Sequence, residues 1–265
     1  MRVQNTYTRN GEYSVNTDKK RVWFATGNLQ YRASDGSWRF AEHQYDIIGD
    51  GIGNSTRGEA RATQSDWIDL LGYGCTGIEN GQAAYTACAT DTKPQDYYNG
   101  DTSRTSSDFS YVYNATHVGL FRTLTKDEWN YLVFGRSGER FAKAVVHGVP
   151  GLVLIPDNRA SGLNQVNNTA TSYTQNVIND DWDGVFEQKG FVFLPCGGYR
   201  DGLKVCQIGS GMTSGFYMAA EQYSKQRSYV LQFKTGATNG GVSVAHNPKN
   251  RGVSVRLVMD VGIKF

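Results

Sequence analysis

The sequence predicts an α+β domain of mixed and antiparallel sheet, with two main helices and long ordered loops. Three observations carry this prediction. Short strand-like runs recur through the first forty residues and again through the last third of the chain. A capping box marks one helix start. Between these regions lies a Gly-, Ser- and Asn-rich stretch far longer than an ordinary connection. No internal repeat and no Pro-rich or charge-rich linker divides the 265 residues, so one domain spanning 1–265 is expected.

Taken in order, residues 21–24 and 28–31 read as strands joined by a turn at Gly27, and residues 37–40 follow a second turn at Asp35-Gly36. A short helix is expected over 41–48, ended by Gly49. Residues 49–116 are read as an ordered insertion anchored by rings such as Trp67, Tyr73, Tyr85, Tyr97, Tyr98, Phe109 and Tyr111. At Thr125-Lys126-Asp127-Glu128 the Thr hydroxyl and the Glu carboxylate can each accept a free amide of the first turn, and Trp129, Leu132 and Val133 then fall on one helix face. The apolar runs 141–146 and 152–155 flank His147-Gly148-Val149-Pro150-Gly151 as a hairpin, with His147 capping the turn. Residues 191–194 form a continuous apolar strand suited to burial on both faces. Strands are expected at 203–208, 216–220, 229–233, 242–245 and 253–258. In the third of these, Tyr229, Leu231 and Phe233 share one side, and Gln232 marks an opposite face open to water.

Composition narrows the function classes. Lys and Arg number 27 against 25 Asp and Glu, and the resulting charge of +2 is too small to grip a phosphate backbone, so no nucleic-acid partner is expected. The most apolar stretch, 142–156, is broken by Lys143, His147, two glycines and Pro150, short of the roughly 20 apolar residues of a spanning helix, so no membrane insertion is expected. Residues 1–5 carry Arg2 with no apolar run behind it, so no secretory leader is expected within this sequence. Cys75, Cys88, Cys196 and Cys206 lack the close spacing of a zinc site; two disulfides or four core thiols both fit, and the thiols are the preferred reading.

Four passages carry a resemblance: Gly27-Asn28-Leu29-Gln30-Tyr31 with Trp38-Arg39-Phe40-Ala41; Phe121-Arg122-Thr123-Leu124-Thr125-Lys126-Asp127-Glu128-Trp129; Leu194-Pro195-Cys196-Gly197-Gly198-Tyr199-Arg200; and Gly252-Val253-Ser254-Val255-Arg256-Leu257-Val258. In order and spacing they resemble gut Bacteroidales proteins of C-type lectin fold. These include the variable proteins that retroelements diversify in bacteria and their phages. The second and fourth passages are also similar to the formylglycine-generating enzymes.

The enzyme branch holds Cu(I) and performs oxidation through a late pair of cysteines, and here no cysteine follows Cys206. The resemblance therefore implies a non-catalytic ligand- or receptor-binding protein. Its scaffold would be about 1–209, its displayed region about 210–251, and 252–265 its closing strand and tail. A fixed-specificity surface adhesin of the same fold is the alternative, with a diverged oxidase behind it. The implied partner is a protein or glycan receptor on a cell surface. The implied location is a phage tail or a bacterial surface, with a homotrimer as the expected assembly.

The expected ligand-binding set is Met212, Thr213, Ser214, Phe216, Met218, Glu221, Gln222, Tyr223, Lys225, Gln232, Lys234, Asn239, Ser243, Ala245, His246, Asn247, Lys249 and Asn250, a mixture of adaptable polar groups with a few rings. Many relatives read Gly-Tyr-Tyr-Trp-Ser-Ala where this chain has Gly215-Phe216-Tyr217-Met218-Ala219-Ala220. If Phe216 and Met218 point outward they floor a ligand site; if inward they are core, with Tyr217 opposite in either case.

None of His43, His117, His147 and His246 lies in a Gly-x-Ser-x-Gly or His-Glu-x-x-His motif, and no catalytic residue is expected. No cofactor is expected either. Asp46 and Asp50, and separately Asp180, Asp181 and Asp183, leave calcium as an alternative, though neither group follows the Asp-x-Asp-x-Asp-Gly loop. No proline has the neighbours of the sugar-binding Glu-Pro-Asn or Gln-Pro-Asp signature, so the fold's name does not itself imply carbohydrate binding.

Overall fold

The computed structural model describes residues 10–32, 35–48, 67–74, 109, 120–138, 140–158, 166–201, 204–206, 213–235, 241–249 and 251–262. These residues form an α+β fold of five small sheets and two longer helical segments, with a short 3₁₀ turn at Tyr173–Gln175. β1 (Tyr13–Ser14) and β16 (Val258–Asp260) flank β2 (Arg21–Phe24), so the first and last strands are stitched together. β3 (Leu29–Arg32) lies between β4 (Ser37–Phe40) and β5 (Trp67–Ile68). β6 (Phe141–Val146) and β7 (Val149–Leu154) form the centre of a four-stranded sheet, with β8 (Val177–Ile178) parallel to β6 and β9 (Val192–Pro195) beyond β7. β10 (Tyr199–Asp201) separates β11 (Lys204–Cys206) from β15 (Arg251–Gly252). β12 (Ser214–Gln222), β13 (Arg227–Lys234) and β14 (Val242–Pro248) make an antiparallel sheet.

The first helix, α1 (Lys126–Asn130), starts as its capping box predicts: Thr125 Oγ1 accepts from the Glu128 amide at 3.1 Å, and Glu128 Oε2 accepts from the Thr125 amide at 2.9 Å. It continues as a π turn over Tyr131–Gly135. The second helical segment, a π turn over Trp182–Phe186 and a 3₁₀ turn over Glu187–Lys189, ends at Gly190 with φ 81°. The β6–β7 hairpin is tighter than the sequence suggested. Val146 pairs with Val149, so only His147 (φ 46°) and Gly148 (φ 80°) form the turn, the two positive φ values that a type I′ hairpin requires. His147 is thus a turn residue itself.

Two expected elements differ. Residues 41–48 are not helical, because their amides have other partners: the Ala41 amide donates to the Asn28 carbonyl at 2.8 Å, the Ile48 amide to Asp69 Oδ2 at 2.8 Å, and the His43 amide locally to Asp46 Oδ2 at 2.8 Å. Gln44 becomes a buried tie, accepting from the Phe193 amide at 2.7 Å and donating to the Phe191 carbonyl at 3.1 Å. Residues 253–258 do not form one strand. They thread between sheets, with single bridges Leu71↔Val253 and Tyr217↔Ser254, and carbonyls of Val255 and Leu257 accepting from Leu29 and Ala25.

Three buried clusters result. One gathers Phe216, Met218 and Val230 with Leu71, Val253 and Val255. The second lies under α1, where Trp129 meets Tyr217, Leu231 and Phe233. The third packs Trp182, Phe186 and Phe193 against β6 and β7. The β12–β13–β14 sheet is therefore covered on both sides. Phe216 and Met218 point inward as core, which removes the apolar-floor alternative, and the face marked by Gln232 is not wet along β13, since Val230 and Ser228 on that side are buried.

Candidate functional site

α1 is clamped to the sheet close to one end of it. The Lys126 amide donates to Glu221 Oε2 at 2.7 Å, the Ala220 amide to the Leu124 carbonyl at 2.9 Å, and Trp129 Nε1 to the Met218 carbonyl at 3.1 Å. The register of β12 on β13 shifts between Met218 and Gln222, and the chain then turns back through residues 223–226, held by Tyr223 and Ser224 amides on the Arg227 carbonyl.

At this end three rings come together. Tyr229 and His246 are cross-strand partners of β13 and β14 on the side that α1 covers further along. Tyr223, half exposed at 51%, stacks on His246 with centroids 4.2 Å apart and planes 19° off parallel, and meets Tyr229 edge-on at 5.4 Å. Two cations frame the rings: Lys126 Nζ lies 5.1 Å from the Tyr229 centroid, and Arg227 Nη1 donates to His246 Nδ1 at 2.9 Å. A guanidinium can only donate, so Nδ1 accepts and the ring proton sits on Nε2.

The structure sorts the expected ligand-binding residues by burial. Tyr223, Lys225, Ser243 and His246 are exposed, and Thr213, Glu221, Gln222, Gln232, Lys234 and Ala245 are half-buried. Ser214, Phe216, Met218, Asn247 and Lys249 are buried and belong to the frame. Ser214 closes the β12–β13 register opposite Lys234, with its carbonyl accepting from Gly198. Asn247 accepts from Arg251 at 3.3 Å. The Lys249 ammonium donates to Gln222 Oε1 at 2.8 Å and lies 4.8 Å from the Tyr73 ring centroid, while burial pulls its pKa down to about 8. Met212, Asn239 and Asn250 lie outside the described residues.

Arg227, Tyr229 and Lys126 belong to the patch but not to the expected set. Tyr229 keeps the alternation of Leu231 and Phe233, so the sequence assigns it to the core face, and only the pairing with His246 places it at the rim. Lys126 arrives from about a hundred residues upstream with no local signal.

A second polar cluster sits at the β6–β7 turn. His147 Nε2 and the Tyr45 hydroxyl both approach Asp183 Oδ2, at 3.2 and 3.5 Å, and Tyr45 lies between the His147 and His43 rings. Nearby, a cavity of about 500 Å³ is lined by Val177, Ile178, Asn179, Asp180, Asp181 and Phe186. Among the described residues no group of three or more His, Cys, Asp or Glu is placed to hold a metal ion, and Asp50 lies outside them. Cys196 is a free thiol, and burial pushes it up to about 12 against the Tyr173 hydrogen bond and the nearby Lys143 charge. Cys75 and Cys88 fall outside the described residues. No family model, curated protein or solved structure matches the chain.

Proposed function

We propose that this chain is a non-catalytic ligand- or receptor-binding protein, with the rim of the β12–β13–β14 sheet as its recognition surface. One observation carries the reading: Tyr223, His246 and Tyr229 are grouped at the rim of a sheet covered on both sides, between the cations of Arg227 and Lys126. Exposed Tyr and Arg on a rigid support are the residue types that dominate recognition energies: Tyr offers large contact area with little rotamer entropy to lose, and Arg a planar fork of donors. Lys225 extends the surface at the hairpin turn, while Ser243 and the half-buried Ala245, cross-strand from Gln232 and Val230, lie on the other face of the outer strand.

In the variable-protein reading this surface is diversified by a retroelement, on a phage tail or a bacterial surface. The fixed adhesin is the second reading. Oxidase chemistry gains little support, because a thiol buried and held up to about 12 stays protonated, and the thiolate is the species that binds copper.

Sequencing the gene across a mixed population separates the two readings. Diversification gives substitutions at Tyr223, Lys225, Ser243, Ala245 and His246 while Ser214, Phe216, Met218, Asn247 and Lys249 stay constant. A uniform sequence favours the adhesin. Substitutions spread equally over buried and exposed positions would count against a recognition surface at this rim.

A further inference from the structure

We propose that the Tyr223–His246–Arg227 patch binds a carboxylate-bearing sugar, a uronic or sialic acid residue at a chain end, which rests on the binding reading given above. Two features of the patch point to this ligand, one apolar and one ionic.

The apolar feature is a ring face. His246 stacks against one side of Tyr223 and Tyr229 meets it edge-on, yet Tyr223 keeps 51% of its surface exposed. A flat, exposed aromatic ring with a hydroxyl at its edge suits a ligand that is apolar on one side and hydroxylated around its rim, as a pyranose is. His246 adds the Nε2–H, a donor left available because Nδ1 already accepts from Arg227.

The ionic feature is an excess of unmatched cations. The Lys126 ammonium lies 3.1 Å from Asp127, and Arg251 is bonded to Asp201 at 3.0 Å. Arg227 and Lys225, both exposed, have no carboxylate within ion-pair distance among the described residues. Arg227 uses one N–H on His246, which leaves the rest of its fork for a planar carboxylate. A neutral sugar would use the ring and leave both charges unanswered. A bare phosphate would do the reverse. A protein partner needs roughly 1,200 Å² of total buried surface, far more than these few side chains supply, whereas one exposed ring flanked by a guanidinium is of the size of one monosaccharide.

The test uses the full chain with four probes: trigalacturonate, sialyllactose, maltotriose and hexaglutamate. Binding is read by calorimetry and by the imidazole and tyrosine ring resonances of His246 and Tyr223. At least one acidic sugar should bind about tenfold more tightly than maltotriose, and Arg227→Gln should remove about that factor while leaving the maltotriose affinity unchanged. Tyr223→Ala should weaken acidic sugar and maltotriose together, with the thermal midpoint unchanged as the control for folding. The proposal is overturned if neither acidic sugar moves the two side chains' resonances, or if hexaglutamate binds as tightly as the better acidic sugar, which would make the patch an acidic-peptide site. Either failure leaves the wider binding reading to be decided by the population sequencing, which uses none of these probes.

Discussion

Tyr217 and Tyr223 stand six residues apart, and the chain treats them as opposites. Tyr217 is fully buried. Its hydroxyl donates to the Pro195 carbonyl at 3.0 Å and accepts from Asn28 Nδ2 at 3.3 Å, its ring stacks on Phe233, and burial raises its pKa so that it stays neutral. Tyr223 is half exposed, with one ring stacked on it and another at its edge. The same residue type serves as a fully bonded frame member in one place and as an open contact in the other. The difference lies in coverage: α1 packs over Tyr217 and the threading segment 253–258 bridges to it, and neither closes over Tyr223.

This contrast breaks most visibly at Trp129. Trp129→Ala should cost about 3–5 kcal/mol, since it empties the cluster under α1 and strands the Met218 carbonyl that the indole serves. Denaturant unfolding monitored by circular dichroism checks this; a loss under 1 kcal/mol, well below the usual range for such truncations, would mean that α1 is not what seals the sheet. Gly215→Ala comes next. A methyl group there would collide with the Phe233 ring across the β12–β13 pair, for about 1–3 kcal/mol of overpacking strain in the same measurement.

Acid should loosen the seam that joins α1 to the last strand. Burial alone would raise the pKa of Asp260, but the hydrogen bond and charge of Arg122, and then those of Lys20, hold it below its ordinary value. A carboxyl depressed in the folded state adds stability above its unfolded pKa of about 4 and loses it as pH falls through the folded value. Wild-type stability should therefore fall below about pH 4, and Arg122→Gln should be less stable at neutral pH with a shallower acid limb. Parallel acid limbs in the two proteins would show that the pair contributes nothing. At the small end, Tyr223→Ala and His246→Ala should each change stability by no more than about 0.5 kcal/mol, because both are exposed rim residues whose removal opens no cavity in the core.

Much of the frame was legible in the sequence because its signals are local. The Thr125–Glu128 box, the His147-Gly148 turn and the apolar run ahead of Cys196 depend on neighbours within a few residues. Residues 41–48 and 253–258 differ from their sequence reading because several of their backbone groups are bonded by partners distant in sequence, such as Asp69, Leu71 and Phe216. The site was half legible. Composition indicated the polar stretch containing Tyr223 and His246, but alternation gives two faces of a strand without saying whether one or both are covered. It therefore leaves both faces open to Phe216 and Met218, which lie in the interior, and puts the buried Asn247 and Lys249 in the displayed stretch. Tyr229 was placed in the interior although it belongs to the rim.

Two displayed libraries test the division between frame and surface most directly. One randomises Tyr223, Lys225, Arg227, Ser243, Ala245 and His246; the other randomises Ser214, Phe216, Met218, Asn247 and Lys249. Protease resistance sorts folded from unfolded members. Most members of the first library should stay folded, and nearly all of the second should be cleaved. Equal survival in the two libraries would contradict the division of the sheet into a sealed frame and a tolerant rim.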